Sequence, residues 1–232
     1  MLKNHLVNPL FSKDLKKLSQ RRRGAKNAMV NILVLVSGGG TNLQALIDAE
    51  AAGAFVGARI AAVVSDRSGV YALQRAKAAG IPAFVEKPNP DLAKAERRRE
   101  LSDRILRHCR EMKIGLIVYA GFLSILAGDL IEEYSNRMIN LHPALLPKFG
   151  GEGMYGERVH RAVLSAGEKE SGCTVHLVDA GTDTGPILLQ RKIPVLPGDT
   201  PESLAERIHK EEHFAIVEAV KMMVMNDCLS AD

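Results

Sequence analysis

The chain has 232 residues, 46% hydrophobic and 25% charged, with 20 glycines and 10 prolines; this suits a buried core in one large or two small domains and excludes collagen-like and low-complexity chains. Its longest apolar runs, Ile32–Val36 and Leu116–Ala120, fall far short of the roughly 20 residues that cross a bilayer, so no membrane partner is expected. The net charge of +4 is local: residues 1–28 hold eight of the 31 Lys/Arg and one of the 27 Asp/Glu, so the other 23 basic and 26 acidic side chains sum to −3, and no nucleic-acid partner is expected for the body.

Residues 1–28 lack sustained periodicity, end in Gln20-Arg21-Arg22-Arg23-Gly24 and contain too short an apolar stretch for a signal peptide. They read as a basic, disordered extension, with a targeting segment or an anion-binding arm as alternatives, and residues 29–232 read as one domain. From there the pattern predicts strands at Asn31–Val36, Arg59–Val64, Ala83–Val85, Leu116–Tyr119 and Met138–Leu141. Helices are predicted between them at Asn42–Ala52, Val70–Ala79 and Ala93–Met112. This alternation indicates an α/β fold with a doubly wound, mostly parallel sheet. Two consecutive strands, Cys173–Leu177 and Ile187–Val195, predict an antiparallel portion near the C-terminus, followed by a helix over Pro201–Met225. Cys109, Cys173 and Cys228 are too few and too scattered for a disulfide framework or a zinc ribbon, which suits a reducing cytoplasm.

Three stretches can carry chemistry. Ser37-Gly38-Gly39-Gly40-Thr41-Asn42-Leu43 joins a strand to a helix, where exposed N–H groups and a helix start favour a phosphate and Thr41 or Asn42 can cap the helix. It is not a Walker A loop; a plain tight turn, or a dinucleotide site using Asp66, are the alternatives. Asn140 and His142 stand two apart at a strand end, so they share a face, and an amide donor beside an imidazole suits an oxyanion and a moving proton. Thr174 to Pro186 forms an irregular loop after a strand, from which Asp183 can orient His142; alternatively Asp179 and Asp183 make local turns. No metal-ligand spacing is present.

Together the segments Asn31–Leu43, Ala120–Leu126, Asn140-Leu141-His142-Pro143 and Asp183-Thr184-Gly185-Pro186 resemble the phosphoribosylglycinamide formyltransferase (glycinamide ribonucleotide transformylase) family of the formyltransferase superfamily. The resemblance covers residues 29–224 and implies a Rossmann-like formyltransferase domain that passes a formyl group from 10-formyltetrahydrofolate to the glycinamide amine in purine biosynthesis, without a metal. It implies that Asn140, His142 and Asp183 are catalytic. It puts Gly40, Thr41 and Asn42 on the substrate phosphate and Glu212 on the ribose, with His209 beside it. It assigns Arg98, Leu123, Ser124, Ile125, Leu126, Asn140, Val178, Asp179 and Asp183 to the folate. Small-molecule partners and a monomer or homodimer are expected.

Two features depart from the family pattern, apart from the basic extension. The Phe149–Gly156 loop is longer than its shortest family versions, a candidate lid, and His209 stands where other members can carry an amide. A formyltetrahydrofolate deformylase is the nearest alternative, although that family usually has an N-terminal regulatory domain which 28 residues cannot form. Methionyl-tRNA formyltransferases carry a further C-terminal domain. A non-catalytic nucleotide-binding module is the alternative of a different class, and the Asn140/His142 pair argues against it.

Overall fold

Alternation along the central strands divides the apolar side chains into two layers. In the computed structural model, which describes residues 5–7 and 29–225, β2 (Val30–Val36) sends Ile32, Val34 and Val36 to one face and Leu33 and Leu35 to the other, all at most 1% exposed. β5 (Ile114–Tyr119) divides likewise, Leu116 and Val118 against Ile117 and Tyr119. Burial on both faces explains why these strands read as continuous apolar runs.

The first face is covered by α1 (Thr41–Ala51), α2 (Tyr71–Ala78), α5 (Glu157–Ser165) and α6 (Pro201–Met225). The second is covered by α3 (Lys94–Glu111) and α4 (Asp129–Glu133), chiefly through Leu101, Ile105, Cys109 and Leu130. Cys109 and Cys173 are free and buried, and burial pushes the Cys109 thiol up to about 12.

Among the described residues the sheet has eight strands. Their order is β1 (His5–Val7), β8 (Ile187–Pro194), β7 (Glu170–Leu177), β6 (Met138–His142), β5, β2, β3 (Ala58–Ser65) and β4 (Ala83–Val85). β4, β3, β2, β5 and β6 are parallel, whereas β7 runs antiparallel to β6 and β8, and β1 antiparallel to β8. The expected doubly wound sheet and its antiparallel C-terminal portion are both present. From β2 the chain winds outward to β3 and β4, then returns to β5 and winds the other way. The sheet therefore reverses between β2 and β5, and a crevice opens at their carboxyl ends.

Two helices go beyond the sequence reading. α4 has only five residues, too few for periodicity, and α5 starts from Gly156 without a capping side chain to announce it. β7 begins at Glu170, earlier than the expected Cys173. Within the expected disordered extension, His5–Val7 is a strand in register with Leu189–Arg191; the rest of that expectation lies outside the described residues, as do residues 226–232. No helix among the described residues is long and apolar enough to cross a membrane.

Candidate active site

The crevice is stitched together by Ser37. Its backbone N–H donates to the Gly121 carbonyl (3.0 Å), and its Oγ accepts from the Leu123 N–H (2.8 Å), joining the loops after β2 and β5. Gly40 then takes φ 72° as the residue before α1, and a Cβ there would lie 2.6 Å from the Ala72 Cβ, so the turn needs glycine at this position. The side-chain cap expected from Thr41 or Asn42 is absent: α1 starts at Thr41 with no side-chain cap, which leaves first-turn N–H groups to face the crevice. Asn42 turns inward instead. Its Nδ2 donates to Glu212 Oε2 (3.2 Å), and its buried Oδ1 has no partner. Glu212 is 5% exposed, and burial raises its carboxyl above the ordinary value while His209, 4.0 Å away, opposes this.

At the other end of the crevice, the antiparallel pairing of β6 and β7 sets Asn140 opposite His176 and His142 opposite Thr174. Asp183 reaches this point from the β7–β8 loop, with φ 58°. Its Oδ1 accepts from Asn140 Nδ2 (3.2 Å) and its Oδ2 from the Gly151 N–H (3.0 Å), while His142 Nδ1 stands 3.5 Å from Oδ2. His142 Nε2 faces the Phe149 carbonyl at 2.8 Å, so it carries the proton and Nδ1 is left as the basic nitrogen beside the carboxylate. His176 is the opposite tautomer. Its Nδ1 donates to the Leu177 carbonyl (2.8 Å), and its Nε2 accepts from Asn140 Nδ2 (3.1 Å).

Burial lowers the His142 pKa, Asp183 pulling it partway back, so the imidazole is neutral at pH 7. Burial also opposes ionisation of Asp183, but the neighbouring His176 and His142 and the Gly151 N–H together hold its carboxyl below the ordinary value. The arrangement is an ionised carboxylate beside a neutral imidazole that has an acceptor on each side. Such a pair can take up one proton and give it back.

A cavity of about 570 Å³ connects the two ends. Gly40, Thr41, Asn42, His209 and Glu212 border it, as do Leu123 to Leu126, Val178, Asp179, Asn140, His142 and Asp183, so the fold brings these expected site residues together. Arg98 is placed differently: it is not among the bordering residues, and its guanidinium pairs with Glu152 (3.0 Å), which is. Glu152 also pairs with Lys94, and the Gly151–Gly156 segment forms a wall of the cavity. Of the two loop acids, Asp179 makes a local turn, accepting from the Gly181 N–H (3.0 Å) and from Thr184 Oγ1 (2.7 Å), and only Asp183 reaches the histidine. Asp66, the acid a dinucleotide site would need, is 5% exposed and holds Ser124 Oγ at 2.7 Å. Sequence reasoning gave no role to His176, His160 or Glu152. His176 shares its face of β7 with Thr174 and alternates with Cys173, Val175 and Leu177, but nothing local marks it as the neighbour of Asn140.

Fold and site together define a doubly wound α/β protein with an amide, an imidazole and a carboxylate converging at its switch-point crevice. The chain belongs to the formyl transferase family, whose model matches residues 30–220. It is 38% identical over 185 residues to phosphoribosylglycinamide formyltransferase of Escherichia coli (strain K12), covering 79% of this chain and 82% of that protein. It is 44% identical over 221 residues to the trifunctional purine biosynthetic protein adenosine-3 of Drosophila melanogaster, covering 94% of this chain but only 15% of that protein's length. Among solved structures, phosphoribosylglycinamide formyltransferase from Brucella melitensis superposes with a TM-score of 0.74 at 41% identity, covering 87% of this chain and 99% of that one.

Proposed function

We propose that the chain transfers the formyl group of 10-formyltetrahydrofolate to the amine of 5-phosphoribosylglycinamide, giving formylglycinamide ribonucleotide and tetrahydrofolate in purine biosynthesis. The observation that carries this reading is the convergence of Asn140, His142 and Asp183 at one end of a cavity whose other end presents the Gly-rich turn and Glu212. Its relatives of similar length bear the name of this activity.

In the reaction the amine nitrogen bonds to the formyl carbon and the carbonyl oxygen becomes an oxyanion; the bond from that carbon to folate N10 then breaks. The amine gives up one proton and N10 gains one. The neutral His142 and ionised Asp183 take the first proton as a unit, because the imidazolium so formed lies between the Phe149 carbonyl and the carboxylate. Asn140 supplies the oxyanion donor by turning one N–H away from His176 or Asp183, both of which hold its amide in place beforehand. The phosphate meets the first turn of α1 near Gly40, Thr41 and Asn42, and the ribose hydroxyls meet Glu212, with His209 at the rim. The pterin occupies the side formed by Leu123, Ser124, Ile125, Leu126, Val178 and Asp179, and Arg98 meets the folate tail once Glu152 releases it. The reading carries with it small-molecule partners, a monomeric or homodimeric state, a cytoplasmic location, and residues 29–232 as the formyltransferase domain.

The test is a formyl-transfer assay with both substrates, run in parallel without the ribonucleotide. Folate deformylation that requires the ribonucleotide and yields formylated amine is expected. Equal turnover with water alone would instead favour a hydrolase, and no turnover at all would sink both readings.

A further inference from the structure

His160 borders the same cavity and has no task in the mechanism above. It lies on α5, is 2% exposed, and borders the cavity together with His209 and Glu212 of α6. Its Nδ1 is buried without a hydrogen-bond partner. Buried polar atoms are rarely left in this state, and an orphaned N–H is rarer than an orphaned acceptor. The proton therefore belongs on Nε2, which makes that edge of the ring a donor. A second unpartnered atom, Asn42 Oδ1, belongs to the residue that donates to Glu212 in the same cavity.

The groups charged or chargeable around the ring are His209 and Glu212 on α6, His142 on β6 and Glu157 on its own helix. Burial, then His209 and His142, drive its pKa down to about 4, so the free protein presents a neutral N–H there. Glu212 and Asn42 Oδ1 accept hydrogen bonds and match sugar hydroxyls. The α1 N–H groups and His160 donate and match phosphate or ring oxygens. A sugar phosphate carries both kinds of group, whereas a pterin against Leu123–Leu126 would leave these partners unmet.

We propose that His160 is a further substrate-binding residue, donating its Nε2–H to an oxygen of the phosphoribosyl group. The proposal deepens the functional reading and rests on its choice of substrate. The test uses the full chain with His160→Phe, which removes both nitrogens but fills the space, and His160→Asn, which keeps an N–H. Ribose 5-phosphate binding is measured by calorimetry, and both KM values are taken from the transfer assay. H160F should weaken ribose 5-phosphate binding and raise the ribonucleotide KM about tenfold, the scale of one hydrogen bond to a charged group, with the folate KM within about twofold. H160N should recover most of the loss. In the unsubstituted chain, saturating ribose 5-phosphate should move the His160 imidazole nitrogen resonances, a readout that needs no variant to fold. Unmoved resonances would overturn the proposal, as would a loss shared equally by the two substrates. A chain that transfers no formyl group yet binds ribose 5-phosphate through His160 would refute the functional reading and leave this one standing.

Discussion

At the residue scale, His142 is pulled two ways: burial favours its neutral form and Asp183, 3.5 Å away, favours the charged one, with burial the stronger. The neutral form is the one that accepts a proton. kcat/KM should therefore be flat at neutral pH and fall only below the ordinary histidine value of about 6.5. Asp183→Asn removes the upward pull, so the acidic limb should move to still lower pH while the rate drops. A pH–rate profile of D183N with its limb at higher pH would contradict this assignment. Asn140→Ala removes the proposed oxyanion donor and should cost about 10²–10³ in kcat. In the proposed mechanism His142 and Asp183 act as a unit, so His142→Ala combined with Asp183→Asn should be little worse than the more damaging single change. Steady-state kinetics of the four proteins, each checked for native folding, decides this. Multiplicative losses would mean that the two residues work separately.

The turns between elements separate what the backbone needs from what a ligand needs. Gly40 combines a positive φ with a blocked Cβ, whereas a Cβ at Gly38 would meet nothing within 4 Å. Gly40→Ala should cost about 1–3 kcal/mol in a urea-unfolding series, while Gly38→Ala should stay within about 0.5 kcal/mol of the unsubstituted chain. If Gly38→Ala nevertheless raises the ribonucleotide KM, the open space above that glycine is where substrate approaches. The wall formed by Gly151–Gly156 is held by exposed ion pairs from Glu152 to Lys94 and Arg98, and such pairs contribute little to stability. Their consequence is for binding, since Glu152 occupies the cations that a substrate carboxylate would seek. Glu152→Gln should lower the KM for a folate with an anionic tail and leave that for the ribonucleotide unchanged. An unchanged folate KM would place the tail elsewhere.

For the whole molecule, the buried histidines couple chemistry to stability. His142 and His160 both have lowered pKa values in the folded protein, so the unfolded chain binds their protons first as pH falls below about 6.5, and stability falls with it. Glu212, raised by burial, acts with the opposite sign, but it is one group against three, since burial lowers His213 as well. The urea midpoint should be lower at pH 5 than at pH 7, and His160→Phe should narrow the difference; equal midpoints would refute the coupling. How much of this was legible follows from the range of each pattern. Period-2 runs and helix periodicity report which face each residue takes, so the two-faced sheet, the Gly-rich turn and the same-face pair Asn140 and His142 were all readable along the chain. Short elements carry too few periods, which is why α4 and β1 were not. The partnership of Asp183 with His142, the bracing of Asn140 by His176, and the diversion of Arg98 to Glu152 each join residues that no local pattern relates. Strand order and loop closure bring them together: the antiparallel return of β7 sets His176 beside Asn140, and the loop that follows folds Asp183 back over both. The sequence by itself determined which side chains could do the chemistry. Only the tertiary structure decided which of them meet, because hydrogen bonds act over about 3 Å in space whatever the separation along the chain.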